Sequence, residues 1–184
     1  RQVLYRTAID AAQLTGAETL LDAYCGTGTI GLCASDGCKQ LIGVELNADA
    51  IRDAKENARR NGVENARFLC DDAGRFMQKL AKEGNAPDVV MMDPPRAGSD
   101  QKFLQSLLML KPKRVVYVSC NPETLARDLR VLVDGGYRAE WATPVDMFPG
   151  TEHVETVMSL VQQNPDDIVK VGIDADELAV TKAE

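Results

Sequence analysis

Residues 19–31, Thr19-Leu-Leu-Asp-Ala-Tyr-Cys-Gly-Thr-Gly-Thr-Ile-Gly31, read as a strand that runs through a glycine loop into a helix. Gly26, Gly28 and Gly31 keep the G-x-G-x-x-G spacing, which allows a tight turn, close approach of backbone to a ligand, and a helix N-terminus aimed at it. Outward from this loop, apolar runs alternate with helical patterns as far as Ser119, the signature of βαβ units and a parallel sheet. A helix at 2–14, ended by Thr15-Gly16, precedes the loop. Strands are expected at 19–24, 40–45, 66–70, 88–92 and 114–118, and helices at 29–36, 48–61, 72–83, 99–109 and 122–133. Beyond Gly135-Gly136 two extended segments, 137–145 and 153–161, lie close together with no helix between them, so an antiparallel hairpin should finish the sheet. The last twenty residues carry no clear pattern.

With 184 residues, 45% of them apolar and 27% charged, the chain has the makings of one globular domain and not of a disordered or fibrous protein. The expected division is a domain over 1–162 and an acidic tail over 163–184. No run approaches a membrane span, so no membrane partner is expected. Arg1 sits inside a helical pattern, which suggests a piece of a longer chain with a domain upstream. The formal net charge is −7, the wrong sign for a free-standing nucleic-acid binder. Residues 161–184 hold six acids against two lysines, so that segment carries −4 and the rest only −3. Five cysteines, with spacings that match neither C-x-x-C nor a zinc pattern with His153, predict free thiols, a reducing cytoplasmic setting and no metal site.

A dinucleotide is the first ligand the glycine loop suggests, with Glu45 at the end of the next strand as the ribose-binding acid. Asp22, four residues before Gly26, opposes it, since a carboxylate there would repel a pyrophosphate and attract a cation. S-adenosylmethionine carries an ammonium and a sulfonium and needs no phosphate cradle. Glu45 would then accept both ribose hydroxyls, although strand-end acids often simply meet water. Asp72, after the strand ending at Cys70, is placed either to hydrogen-bond the adenine amino group or to cap the next helix.

Two strand ends suggest the chemistry. Asp93-Pro-Pro-Arg96 removes two backbone donors and holds the chain extended, with carbonyls aimed at the crevice where open α/β sheets bind ligands. A similar motif in amino-group methyltransferases ends in an aromatic residue that stacks on the base; Arg96 stands there instead. The strand Val115-Val-Tyr-Val-Ser119 ends on Cys120-Asn-Pro122. Cys33, Cys38 and Cys70 read as inert packing residues, but Cys120 precedes a helix N-terminus, a place that favours an anionic sulfur and suits a nucleophile.

Together these residues resemble the RNA uracil-5-methyltransferases that make 5-methyluridine in transfer and ribosomal RNA. The resemblance runs from Gln2 to Leu160 and rests on Asp22-Ala-Tyr-Cys-Gly-Thr-Gly28, Gly43-Val-Glu45, Asp93-Pro-Pro-Arg-Ala-Gly98, Ser119-Cys-Asn-Pro122 and Phe148-Pro-Gly-Thr-Glu-His-Val-Glu155. It implies a Rossmann-like seven-stranded methyltransferase fold, S-adenosylmethionine as cofactor, Cys120 as nucleophile and Glu155 as the proton-abstracting base. Tyr24, Glu45, Asp72 and Asp93 match the family's cofactor contacts, beside Asp22, Gly26 and Gly28 read from the loop itself. In the family, RNA-contacting domains and a cofactor-binding Phe-x-Gln segment lie upstream, so the substrate, a ribosomal or transfer RNA, is expected to be held mainly outside these residues by a monomeric enzyme. Carbon 5 of uracil is a weak nucleophile, which is why a thiolate must add first and a base must follow. An exocyclic-amine N-methyltransferase would leave Cys120 without a task. A non-catalytic cofactor- or RNA-binding module would leave both Cys120 and Glu155 without one.

Overall fold

The computed structural model describes residues 2–147 and 154–163. Helix α1 (Gln2–Ala12) leads to β1 (Thr19–Ala23), and the alternation continues through α2 (Thr29–Ala34), β2 (Gln40–Glu45), α3 (Ala48–Arg60) and β3 (Ala66–Cys70). Then come α4 (Ala73–Glu83), β4 (Val89–Met92), α5 (Gln101–Leu110), β5 (Arg114–Ser119), α6 (Pro122–Asp134), β6 (Tyr137–Asp146) and β7 (Val154–Gln162). The strands make one seven-stranded sheet of order β3-β2-β1-β4-β5-β7-β6. Pairings from β3 to β5 are parallel, and β7 runs antiparallel to both β5 and β6. This is the mostly parallel sheet with a closing antiparallel hairpin that the alternation leads one to expect.

The central parallel strands β1, β4 and β5 are largely apolar on both faces, as strands covered on both sides must be. All four residues of β4 are buried, Val89 and Met91 in one core and Val90 and Met92 in the other. The first core takes Leu4 and Ala8 of α1, Ile30 of α2 and Ile51 and Ala54 of α3. Its opposite takes Phe76 and Met77 of α4, Phe103 and Leu107 of α5, and Leu125 and Leu132 of α6. The result is three layers with the sheet in the middle. At the amino-terminal edge, Arg114 donates to Glu140 at 2.6 Å, Ser159 at 2.9 Å and Gln13 at 2.9 Å, tying the hairpin to the end of α1.

Helix starts follow their caps. Asn47, Asp72, Asp100 and Asn121 each accept a backbone N–H from the first turn of the helix that follows. Because each cap follows a strand directly or after a short loop, these helix N-termini gather at the sheet's carboxyl edge. The capping alternative for Asp72 is thereby realised at 2.8 Å from the Arg75 N–H. Some boundaries differ from the sequence reading. Helix α1 stops at Ala12 because Gln13 turns left-handed at φ 47°, and α5 starts at Gln101 because Asp100 caps it. After Ala34 the chain tightens into a 3-10 turn over Ser35–Gly37. Cys38 is buried as expected, but Cys33 and Cys70 are exposed, Cys70 at the end of the sheet's edge strand. No helix among the described residues is long and apolar enough to cross a membrane. His153 and the tail from 164 onward lie outside the described residues.

Candidate active site

Two clefts open side by side at the carboxyl edge of β1, β2 and β4, where the strand order reverses direction and α/β sheets bind their ligands. The larger, about 540 Å³, is lined by Tyr24, Glu45, Leu46, Asp72, Asp93 and Asp100, with Gly98 and Pro95 at its wall. The smaller, about 210 Å³, is lined by Tyr5, Asp22, Gly26, Thr27 and Thr29, and Tyr24 and Asp93 are common to both. Clefts between α3 and β3 and along the α4 side of the sheet hold none of the residues proposed above for catalysis or cofactor binding.

The glycine loop is held from three sides. Glu45 accepts from the Gly26 N–H at 3.2 Å through one carboxylate oxygen and from the Asn47 N–H at 2.9 Å through the other, so its head is oriented while it lines the larger cleft. Gly28 sits at φ 77°, and a Cβ there would meet the Phe68 ring at 2.8 Å, so only glycine fits. Asp22 accepts from the Gly31 N–H at 3.0 Å. The sequence reading set this carboxylate beside the ligand. The structure also makes it a tether for the start of α2, with 2% of its surface open.

That burial has an electrostatic consequence. Desolvation pushes the Asp22 carboxyl up to about 7, against the lowering effect of the Gly31 N–H, and the carboxylates of Asp93 and Glu45 add to the rise. Asp93 moves the same way, to about 6, through desolvation first and the Glu155 carboxylate second. Asp93 is also exposed at the mouth of the clefts, where solvent screens its charge. Tyr24, at φ 61°, turns its ring against Phe103 with centroids 5.4 Å apart and shares a 2.9 Å hydrogen bond with Ser99; burial pushes its hydroxyl up to about 12. The clefts are thus rich in acid and short of cation, an environment that favours a positively charged guest.

The nucleophile candidate stands one strand over. Cys120 is partly exposed at the end of β5, just before Asn121, which caps α6 and whose amide donates to the Arg96 carbonyl at 3.1 Å. Strand β5 pairs with β7 through Ser119 opposite Thr156, so the next step of the register sets Cys120 across from Glu155. Glu155 also sits between strands, opposite Val145 of β6, and its charge reaches Asp93. Three strand ends that are far apart in sequence therefore bring Asp93, Cys120 and Glu155 to one rim beside the larger cleft. The remainder of the Phe148–Glu155 motif, residues 148–153, lies outside the described residues.

Sequence reasoning missed Leu46, Asp100, Ser99 and Asp128. Leu46 is 67% exposed and follows Glu45 into the cleft, a bare apolar residue that only position distinguishes. Asp128 is fully buried. The signal for it was present, because Leu125, Asp128 and Leu132 fall on one face at helical spacing, so the acid stands where the stripe calls for an apolar residue.

The profile of the family described as tRNA (Uracil-5-)-methyltransferase matches residues 2–163. An uncharacterized RNA methyltransferase of Halalkalibacterium halodurans is 52% identical over 163 residues, 89% of this chain and 36% of that protein. One of Listeria monocytogenes is 52% identical over 159 residues, 86% of this chain and 35% of its own. The chain therefore spans little more than a third of the curated relatives it matches. Among solved structures, the tRNA (uracil-54, C5)-methyltransferase of Pyrococcus abyssi, in complex with S-adenosyl-L-homocysteine, is similar with a TM-score of 0.72 and 36% identity, over 86% of this chain and 37% of that one. A precorrin-6y C5,15-methyltransferase of Geobacter metallireducens has a TM-score of 0.74 at 16% identity over 88% of this chain and 89% of that one, which shows the shared fold alone. With both the profile and the relatives spanning nearly all of it, the chain belongs to the tRNA (uracil-5-)-methyltransferase family.

Proposed function

We propose that residues 1–162 form the catalytic domain of an enzyme that methylates carbon 5 of a uridine in transfer or ribosomal RNA, with S-adenosylmethionine as methyl donor. The observation that carries this reading is the β5–β7 register, which pairs Ser119 with Thr156 and so leads one step on to Cys120 and Glu155, next to Asp93 of a cleft walled by carboxylates. The cleft suits the donor: its acids complement an ammonium and a sulfonium, and Glu45 is already oriented by two backbone N–H groups. Tyr24, Glu45, Asp72 and Asp93 would hold the nucleoside and methionine parts, with Asp22 and the Gly26–Gly28 turn beneath. When bound, the donor supplies a methyl group on a sulfonium, activated for in-line transfer.

The Cys120 thiolate adds to carbon 6 of the uracil, and the new C–S bond leaves enolate character at carbon 5. Carbon 5 takes the methyl, whose bond to the sulfonium breaks to leave a neutral thioether. Glu155 then removes the carbon-5 proton, the electron pair restores the 5,6 double bond, and Cys120 departs as thiolate. Residues 163–184 are an acidic tail by composition, and most RNA contacts would fall in the rest of the full-length protein, consistent with the net charge of −7 here.

The test uses the full-length enzyme and RNA containing 5-fluorouridine, whose carbon 5 has no proton to lose. Wild type should form a methylated adduct that survives denaturing gels, and Cys120→Ala should form none. Glu155→Gln should accumulate adduct on ordinary RNA, where wild type turns over. Near-normal turnover by Cys120→Ala would reject Cys120 as nucleophile and with it the carbon-5 chemistry, leaving amine methylation, which needs no thiolate.

A further inference from the structure

Asp128 stands at a core position of α6, fully buried between Leu125 and Leu132 on the helix's inner face. A carboxylate there is costly unless every lone pair is engaged, and a leucine would fill the space with no such demand. Its oxygens are engaged from three segments. Oδ2 accepts from the Tyr117 hydroxyl of β5 at 2.7 Å and from the Ser99 N–H of the β4–α5 loop at 2.7 Å. Oδ1 accepts from Arg127 Nε at 2.9 Å. Arg127 in turn donates to the carbonyls of Ala97 at 3.0 Å and Ser99 at 3.2 Å. The loop is pressed so closely on this pair that a Cβ at Gly98 would lie 2.5 Å from the guanidinium and 2.8 Å from the Asp128 carboxylate.

The segments gathered here are those that carry the chemistry. From Ser99 a hydrogen bond runs to Tyr24, which lines both clefts. From Tyr117, β5 continues three residues to Cys120. The same loop is fastened at its other end by Asn121 and Thr124, which both donate to the Arg96 carbonyl at 3.1 Å. We propose that Asp128 is a positioning residue that locks the Asp93–Asp100 loop to the β5–α6 elbow, so that the cofactor cleft and the Cys120 thiol share one rigid frame. This rests on the uridine-5-methyltransferase reading above. Asp128 touches neither cleft, and its effect is exerted through Ser99 and Tyr117.

The variant Asp128→Asn keeps shape and keeps an oxygen for Tyr117 and Ser99, but it turns an NH2 toward Arg127 and releases the guanidinium. In the full-length enzyme, single-turnover methyl transfer at saturating donor and RNA should fall by about tenfold or more, since misplacement of reacting groups by a fraction of an ångström is costly. Affinity for S-adenosylhomocysteine should fall by a smaller factor than the transfer rate, because Asp128 itself lines neither cleft and Glu45 and Asp72 are held independently of it. Tyr117→Phe removes one donor without a cavity, so it should slow the same step, and the double variant should be slower by less than the product of the two effects. A merely structural Asp128 would lower the melting temperature and leave the rate per folded molecule unchanged. That result, with wild type active, overturns the assignment while the function stands. Wild type that transfers no methyl to uridine carbon 5 rejects the function and this assignment with it. Should Asp128→Asn fail to fold, Tyr117→Phe decides alone, and an unchanged single-turnover rate in it overturns the proposal.

Discussion

Asp22 has two demands on one carboxylate: it must accept the Gly31 N–H, and it must do so nearly out of reach of water. The folded protein therefore holds a proton on it at pH values where the unfolded chain has released it. With the folded value near 7 and the ordinary value at 3.8, the native state binds more protons than the unfolded state across that window. Stability is thus greatest below the ordinary value and is lost as pH rises through about 7. In Asp22→Asn an amide oxygen still accepts from Gly31 and nothing titrates. Chemical denaturation between about pH 5 and about pH 8 should show wild type losing roughly 2–3 kcal/mol more than Asp22→Asn. Parallel pH profiles for the two proteins would mean that Asp22 is ionised throughout and solvated better than its burial indicates. Either outcome bears on the cleft, since an Asp22 that stays protonated near neutrality offers an incoming cation less attraction than a bare carboxylate would.

At the scale of elements, the glycine loop depends on a neighbour that does not belong to it. Phe68 of β3 lies across Gly43 of β2, its partner in the register, and reaches on to Gly28 in the loop. Strand β2 has glycine at that point because any side chain would overlap the ring. Gly43→Ala should therefore push Phe68 into the loop and destabilise the protein by about 1–3 kcal/mol in urea unfolding, the usual cost of overpacking. The same change should weaken nucleoside binding, and Phe68→Leu, which frees the space, should restore stability to Gly43→Ala in the double variant. If Gly43→Ala costs nothing, the ring does not brace the loop. The helix caps act at this scale too. Asp72 serves α4 with one carboxylate oxygen and still lines the larger cleft, so capping does not withdraw the side chain from it.

For the whole molecule, the mass-action consequence of an acidic cleft is direct. A ligand that binds only the folded state at about a hundred times its dissociation constant adds about 2.7 kcal/mol. For a domain of this size that corresponds to roughly 5–10 °C in melting temperature. S-adenosylhomocysteine or S-adenosylmethionine should produce such a shift in this chain, and NAD at the same concentration should not, because its pyrophosphate would meet Asp22, Glu45 and Asp93. A larger shift with NAD would remove the cofactor assignment. The clefts lie where the loops after β1, β2 and β4 leave the carboxyl edge of three adjacent strands, so the binding site is a property of strand order and not of any one segment.

By itself the sequence determined the layers, the alternation and most element boundaries, because those follow from local periodicity, turn residues and caps that each need only their neighbours in the chain. It also named Cys120 and, through the family resemblance, Glu155, together with Asp22, Glu45, Asp72 and Asp93 but not Asp100, since short motifs at strand ends carry their chemistry with them. Only the tertiary structure decided that β7 slips between β5 and β6, and hence that Thr156, beside Glu155, pairs with Ser119, beside Cys120. A hairpin pattern reads the same whichever of its strands meets the sheet. The register comes from long-range burial, with Val157 and Leu160 of β7 fully buried and no short-range signal for them. Tertiary packing likewise turned Asp128 from one more helical acid into the tie between Ser99 and Tyr117, because a carboxylate's environment depends on what folds over it.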